Sequence, residues 1–172
     1  MPTPATKKPS VELIPIDPRL PDKRQRILAL WNAAIGLDFP LDDCLLEQNL
    51  RLEENSLFCL LARAGGRDAG VILAKQNDKI LGQRGPSPGQ GCISFLMVQP
   101  EHQRKGIGSR LLGEAETWLA SRGVKHLHWG RDTWHFFPGA PEPAPALAAF
   151  LAARAFTPAT SVVHDLHADL GT

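Results

Sequence analysis

The sequence predicts a mixed α/β fold, in which a mostly antiparallel sheet contains one parallel strand–helix–strand unit and carries flanking helices. Two apolar runs, at residues 56–63 and 68–75, are joined by Ala-Gly-Gly-Arg, which is typical of an antiparallel hairpin. A third apolar run at 92–98 is followed by an amphipathic segment at 107–122 and by a short stretch at 125–129 that is typical of a strand. Because strand–helix–strand units run parallel, we expect this last stretch beside the third run.

The N-terminal part of the sequence predicts one strand and two helices. Residues 11–16 alternate apolar side chains, and Pro15 favours an edge position because proline has no backbone donor. Helical spacing follows at 22–35 and again at 42–52. Asp22 is expected to cap the first of these helices.

The C-terminal part predicts one more helix and one more strand. The alanine-rich residues 144–154 favour the helix, and residues 162–170 favour the strand. Gly123 stands directly after the long amphipathic segment, where a glycine commonly ends a helix. We therefore expect that helix to stop there.

Length and composition indicate a single domain at residues 11–172, preceded by a flexible tail at 1–10. The 172 residues are 43% hydrophobic and 22% charged, which provides for a real core. Lys and Arg number 19 against 18 Asp and Glu, a balance that excludes a protein working mainly by neutralising nucleic-acid phosphates. No apolar run approaches the roughly 18 residues of a membrane span, so we expect a cytoplasmic protein with no membrane contact.

One stretch carries recognisable chemistry. The third apolar run ends in Leu-Met-Val-Gln-Pro and is followed by Gln-Arg-Lys-Gly-Ile-Gly at residues 103–108, where the long helix begins. Gly106 and Gly108 lack a Cβ, so a tight turn there brings backbone amides close to a ligand. The first turn of a helix leaves N–H groups unpaired, and the Arg-Lys pair adds two full charges. A pyrophosphate is the expected occupant.

The spacing differs from that of other nucleotide-binding loops, because neither GxxxxGK[ST] nor GxGxxG is present. It resembles instead the acetyl-CoA motif of the GNAT N-acetyltransferases, which is L-x-V-x-P followed by [QR]-x-x-G-x-[GA] before a helix. The order of the predicted elements over residues 11–170 is also similar to the GNAT fold. The resemblance therefore covers nearly the whole chain.

This resemblance implies that acetyl-CoA is bound as the acyl donor. The backbone of Leu96, Met97 and Val98 would hydrogen-bond the pantetheine arm like an added strand. The Val98 N–H, at the end of that strand, would polarise the acetyl carbonyl as an oxyanion donor. The pyrophosphate would be held at the loop and first helical turn, by Gln103, Arg104, Lys105, Gly106, Ile107, Gly108 and Ser109.

The sequence departs from the family in its last helix. Many GNAT enzymes carry a tyrosine there, shortly before a Gly-Phe pair, that protonates the departing thiolate. Leu151 occupies the tyrosine position, Ala155 replaces the glycine, and the chain contains no Tyr at all. Because a thiol has a pKa of about 8.5, its thiolate can leave without an acid, although general acids typically contribute 10²–10⁴-fold.

Residues for proton transfer are not indicated by a strong pattern. Ser94 lies on the strand where family members often place a glutamate, and it is a candidate to hold a water. His126 and His128 alternate on one strand, so both imidazoles share a face, and His128 is our candidate for the general base. Packed or solvated histidines and a plain strand serine are the alternative interpretations. We expect no metal, because the histidine pair has no third ligand at a fixed spacing.

A long loop follows these histidines. Trp134 and Phe137 belong to an aromatic cluster at its centre and are our candidates for an acceptor-binding wall, the alternative being a hydrophobic cluster that covers the core. The loop, with residues 164–166, also resembles GNAT modules that have a second, similar half or stand beside glycosidases. Such a module needs a partner, either a second copy, which would make a homodimer, or another chain.

The sequence thus predicts an N-acyltransferase that moves an acetyl group from acetyl-CoA to a small-molecule or peptide amine by direct attack. The alternative is a weak or inactive GNAT-like module that binds acetyl-CoA as a sensor or partner domain. Leu151 is the feature that favours the alternative.

Overall fold

The computed structural model describes residues 10–50, 57–76, 89–130, 132, 135–141 and 144–158 of the chain. Its elements are β1 (Val11–Pro15), α1 (Pro21–Ile35), α2 (Asp43–Asn49), β2 (Leu57–Ala64), β3 (Arg67–Gln76), β4 (Gln90–Val98), α3 (Ile107–Ser121), β5 (His126–Trp129) and α4 (Pro145–Ala152). A 3-10 turn at Pro100–His102 joins β4 to α3. The predicted last strand at 162–170 and most of the tail at 1–10 lie outside the described residues.

The described strands form one sheet in the order β1-β2-β3-β4-β5. The first four strands pair antiparallel and β5 pairs parallel to β4, so both the predicted hairpin and the predicted parallel neighbour are confirmed. Strand β1 stands at the edge, as Pro15 indicated. At the hairpin turn, Gly65 and Gly66 have φ of 59° and 80°, a conformation that favours glycine at both positions. The mixed α/β class is confirmed.

Of the two predicted helix ends, the one at Gly123 is confirmed. Asp42 caps α2, since its carboxylate accepts from the Leu45 N–H at 2.8 Å, and Gly123 follows α3 with φ 80°. The predicted cap at Asp22 is wrong. Helix α1 starts one residue earlier at Pro21, whose fixed φ suits the first helical position, and the Asp22 carboxylate instead pairs with Lys23.

Two hydrophobic clusters cover opposite faces of the sheet. One packs beneath α1 and α2 around Trp31, Leu46, Leu73 and Phe95. The other packs beneath α3, whose apolar side chains, including Leu111, are buried against β2, β3 and β4. Because the sheet is covered on both faces, its central strands are apolar almost throughout, as the sequence of β3 shows.

Candidate acyl-transfer site

A β-bulge in β4 sets the geometry of the candidate site. Leu73 of β3 pairs with Phe95, but the next residue, Ala74, pairs with Ile93, so Ser94 has no partner in the register. Ile93 accordingly packs beneath α3, whereas Phe95 packs beneath α1 and α2. Bulges bend a strand and re-aim its side chains. In this chain the change of face occurs at Ser94.

Strands β4 and β5 part directly beyond this bulge. Their parallel pairing ends at Ile93 and Trp129, and one more hydrogen bond runs from the Gly130 N–H to the Ile93 carbonyl at 2.8 Å. Residues 96–98 pair with β3 on one side. On their other side, no strand within the described residues pairs with them. Residues 96–98 therefore present an open strand edge.

The N–H groups of Leu96 and Val98 point to this open edge. The Gln99 N–H donates to the Ala69 carbonyl of β3 at 2.9 Å, and backbone groups alternate in direction along a strand. Consistent with that direction, the Val98 carbonyl accepts from the Gln103 side-chain amide at 3.0 Å. The edge thus offers two backbone donors of the kind that an extended amide-containing ligand pairs with.

The N-terminus of α3 lies against the same edge. A Cβ added to Gly108, in the first turn of the helix, would stand 3.7 Å from the side chains of both Leu96 and Val98. No side chain caps the helix, and its first turn holds no acidic residue. The first N–H with an acceptor inside the helix is that of Arg110, which donates to the Gly106 carbonyl at 3.1 Å. The amides before it form a local positive end.

The side chains of the predicted pyrophosphate loop differ in what they offer. Arg104 and Lys105 are exposed, and the Lys105 ammonium donates to the Glu101 carbonyl at 2.6 Å. Gly106 is exposed with φ 82° and has no atom within 4 Å of an added Cβ, so conformation alone favours glycine there. Ile107 is 2% exposed in the core, so it contributes only its backbone to the surface.

Two more residues predicted to contact CoA, Met97 and Ser109, expose little of their side chains. Met97 is 8% exposed and belongs to the cluster beneath α1 and α2, so only its backbone lies at the strand. Ser109 is half-buried in the first turn of α3. The loop therefore presents amides and two cations, the donor set that suits a pyrophosphate.

The predicted proton-transfer residues lie on one face of the sheet. Leu127 and Trp129 pack beneath α3, so His126 and His128, which alternate with them, point to the α1–α2 face. His128 is half-buried and stands opposite Cys92 in the register of β4 and β5. His126 is exposed.

A buried polar group that the sequence reasoning missed occupies this same face. The Lys75 ammonium forms an ion pair with the Asp132 carboxylate, and both side chains are fully buried. Ser94 donates to Oδ2 of Asp132 at 3.1 Å, and Lys75 donates to the Asn49 carbonyl, at the end of α2, at 2.9 Å. Burial lowers the pKa of Lys75, and the Asp132 carboxylate opposes that shift. Ser94 is thus a donor to a buried carboxylate.

The aromatic loop residues pack against the core. Phe137 stacks on Trp31 and meets Phe39 edge-on, and Phe136 meets both Trp31 and Phe95. Both phenylalanines are half-buried. Trp134, the other predicted wall residue, lies outside the described residues.

The last helix carries the two departures from the family pattern. Leu151 is 8% exposed, and its carbonyl accepts from the Phe156 N–H at 3.1 Å. Ala155, three residues beyond the end of α4, has φ 61°, a left-handed conformation that glycine adopts without strain. Phe156 and Phe150 both pack against the cluster beneath α3.

Metal-ligand and membrane-spanning features were searched within the described ranges. No three His, Cys, Asp or Glu side chains come together there as a metal site. None of the helices in those ranges combines the length and apolarity needed to cross a bilayer.

Solved structures with a similar fold are N-acetyltransferases. A glucosamine N-acetyltransferase region of a fungal multi-domain β-N-acetylglucosaminidase superposes with a TM-score of 0.75 at 20% identity, covering 92% of this chain but 18% of that one. A ribosomal-protein alanine N-acetyltransferase from Escherichia coli gives 0.64 at 16% identity over 88% of this chain and 80% of its own. No curated protein matches the sequence.

A third similar structure contains a CoA derivative. It is an aminoglycoside 6′-N-acetyltransferase in complex with the bisubstrate analogue CoA-S-monomethyl-acetylneamine, with a TM-score of 0.64 and 15% identity over 93% of this chain and 99% of its own. At these identities the likeness is one of fold. The present chain spans less than a fifth of the length of the fungal protein.

The fold is thus shared with N-acetyltransferases, and the candidate site combines an open strand edge with an uncapped helix N-terminus. The family model of the acetyltransferase (GNAT) family matches residues 25–137, about two thirds of the chain. The chain belongs to the GNAT family.

Proposed function

We propose that the protein transfers an acetyl group from acetyl-CoA to an amine. The observation that carries this proposal is the open edge of residues 96–98 beside the uncapped N-terminus of α3. An edge of backbone donors and acceptors suits the amide-containing pantetheine arm, and the helix end suits a pyrophosphate. The two features adjoin at Gly108, so a single extended thioester can use both.

The residues of the loop fit the pyrophosphate of CoA. The amides of residues 107–109 are free of intrahelical acceptors, and Arg104 and Lys105 supply exposed positive charge. Gly108 keeps the space between the first turn of α3 and the Leu96 and Val98 side chains open. The backbone of Gln103 and Gly106 completes the proposed cradle.

The reaction follows from the backbone donors at the edge. The amine nitrogen attacks the thioester carbonyl, and an N–H donor stabilises the tetrahedral oxyanion before the CoA thiolate leaves. Val98 is the donor that the sequence predicts, and the Leu96 N–H points to the same edge. Proton acceptors on the α1–α2 face include His128 and, through a water, Ser94.

The acceptor is proposed as a small-molecule or peptide amine. The proteins of similar fold are named for glucosamine, a ribosomal-protein alanine and an aminoglycoside, and the group common to all three is the amine. The nearly neutral net charge of +1 gives no reason to propose a nucleic-acid partner. Phe137, with Trp134, remains the proposed wall of the acceptor pocket, and a second copy of the chain remains the proposed partner.

A second candidate function is a module that binds acetyl-CoA without turnover. Leu151 favours it, because this buried aliphatic side chain stands where many family members place the tyrosine that protonates the thiolate. Both functions share the CoA site. They differ in whether the bound acetyl group is transferred to an amine.

Calorimetry and thiol release test the proposal together. A hundredfold excess of acetyl-CoA over its Kd should stabilise the fold by about 2.7 kcal/mol. Gly108→Glu should abolish binding, because its side chain would fill the space between α3 and the strand edge and bring a negative charge to the helix N-terminus, whereas Gly108→Ala should fold normally, since its Cβ makes only ordinary contacts. Release of CoA thiol with glucosamine, an alanine-terminated peptide or neamine as acceptor supports the enzyme. Binding without release supports the module, and no binding refutes both.

A further inference from the structure

The ion pair between Lys75 and Asp132 is the least expected feature of the interior. Both side chains have no exposed surface, and they lie among aromatic residues, with the Lys75 ammonium 5.6 Å from the centre of the Phe136 ring. Buried ion pairs are often no more stabilising than apolar residues of similar volume. Packing alone therefore gives little reason for a charged pair at this position.

The two oxygens of the Asp132 carboxylate have different surroundings. Oδ2 accepts from the Ser94 hydroxyl at 3.1 Å and pairs with the Lys75 ammonium. Oδ1 is buried and has no hydrogen-bond partner among the described residues. A carboxylate held by one oxygen leaves the other oriented to accept a proton.

Asp132 stands at the point where β4 and β5 part. The last hydrogen bond between the two chain segments comes from Gly130, two residues before it, and its own partner, Ser94, is the bulged residue. Leu96, whose N–H is the first donor of the open edge, lies two residues beyond Ser94 along β4. At strand spacing the two residues are about 7 Å apart. The carboxylate thus adjoins the inner end of the proposed acyl-donor groove.

The direction of the donor follows from the two ends of that groove. The loop of the proposed pyrophosphate cradle follows Val98, and the Gln103 side chain donates to the Val98 carbonyl, so we expect the acyl end of the thioester to extend along the edge towards Leu96 and the bulge. An amine that attacks there approaches the Asp132 carboxylate. This geometry favours the Leu96 N–H over the Val98 N–H as the oxyanion donor.

We propose that Asp132 is the general base of the acetyl transfer, with Lys75 and Ser94 as positioning residues that hold its other oxygen. The inference rests on the proposed function. As the C–N bond forms, the proton of the attacking nitrogen passes to Oδ1 of Asp132. The C–S bond breaks with its electron pair on sulfur, the thiolate takes a proton from water, and Asp132 returns its proton to solvent.

The groups that face Asp132 are compatible with this role. Lys75 of β3 places its ammonium against the Asp132 carboxylate, and Cys92 and His128 lie on the same face of the sheet. The backbone carbonyl of Asp132 contacts His135 Nδ1 at 3.0 Å, which fixes the chain beyond β5.

Asp132→Asn separates chemistry from binding, because it keeps shape and removes the base. With the best amine of the acceptor panel, kcat should fall 10²–10⁴-fold while the Kd for acetyl-CoA stays unchanged. Lys75→Met/Asp132→Asn removes both charges, so it avoids an unpaired buried lysine and should be equally inactive. Formate should restore part of the activity of Asp132→Ala. Asp43→Asn, which removes a carboxylate that is 41% exposed from its pair with Arg24, is the matched control and should keep wild-type kcat.

The possible results decide between a base and a merely structural pair. If the folded double variant keeps kcat within about threefold of wild type, the pair is structural and the inference is wrong while the proposed function stands. If the wild type itself binds acetyl-CoA but releases no thiol with any amine, the proposed enzyme fails and the base fails with it. Loss of activity in both variants with intact acetyl-CoA binding supports the base.

Discussion

The indole ring of Trp31 and the phenyl ring of Phe137 lie parallel, with 4° between their planes and 5.5 Å between their centroids. Trp31 is 3% exposed in the core beneath α1, and its Nε1 donates to the Phe39 carbonyl at 2.6 Å. Phe137 therefore ties the loop after β5 to the core. If Phe137 also binds the acceptor, it does so in addition to packing on Trp31.

Phe137→Ala should lower the free energy of unfolding by about 2 kcal/mol, because it removes a half-buried ring and its two aromatic contacts. Urea denaturation measures the effect. Leu37→Ala, on a fully exposed side chain, is the control and should be neutral. If Phe137 also lines the acceptor pocket, the KM for the amine rises while that for acetyl-CoA does not. Unchanged stability would contradict the packing role.

Ala155→Gly should raise stability by about 0.5–1 kcal/mol. Ala155 is exposed with φ 61°, a left-handed conformation that strains any residue with a Cβ, and glycine relieves that strain at a smaller entropic cost. The midpoint of urea denaturation measures the gain. Ala153→Gly, two residues earlier at φ −65°, should be destabilising, since no strain is relieved there. Equal effects at both positions would argue against backbone strain.

The sequence predicted the parts of this protein that depend on local patterns. The motif that resembles the GNAT family and the amphipathic helix α3 both lie within short windows whose spacing carries the information. The cap at Asp22 failed for a local reason as well, because the preceding Pro21 itself is a favoured first helical residue.

The buried pair was not predictable in the same way. Lys75 ends an apolar strand in the sequence, where a lysine ordinarily reaches solvent. Its burial depends on the end of α2 and on Asp132, which are distant in the sequence. The bulge at Ser94 likewise appears only when β4 is aligned with β3. Such long-range relationships leave no periodic signal in one sequence.

The ion pair between Arg26 and Asp68 should make stability depend on acid pH. The two side chains form hydrogen bonds of 2.6 and 2.7 Å and line a cleft of about 300 Å³ between α1 and β3. The hydrogen bond from Arg26, helped by the charges of Arg26 and Arg63, holds the pKa of Asp68 below its usual value against the effect of burial. The stabilisation of the fold by this ion pair is therefore complete above about pH 4, and it is lost as the pH falls through the lowered pKa of Asp68.

Asp68→Asn should cost about 1 kcal/mol at pH 7, and the deficit should shrink as the pH approaches 3. Urea denaturation at both pH values measures the difference. Asp22→Asn, which breaks the exposed pair with Lys23, should have no comparable effect. A deficit of the same size at pH 3 and pH 7 would show that the loss is one of shape and not of charge.

Leu151→Tyr should change the alkaline side of the pH–rate profile. The wild-type chain contains no tyrosine, so no phenol with a pKa near 10 is present to lose a catalytic proton. We expect wild-type kcat to rise as the amine and its base deprotonate and then to level off until the protein unfolds. A tyrosine at this position would protonate the leaving thiolate, raise kcat, and add a decline above about pH 9–10 as the phenol ionises.

Leu151→Phe, which adds the ring without the hydroxyl, separates this chemistry from the packing change at a side chain that is 8% exposed. A wild-type profile that already declines near pH 9 in the folded protein would mean that another acid protonates the thiolate and that Leu151 does not mark a missing catalytic group.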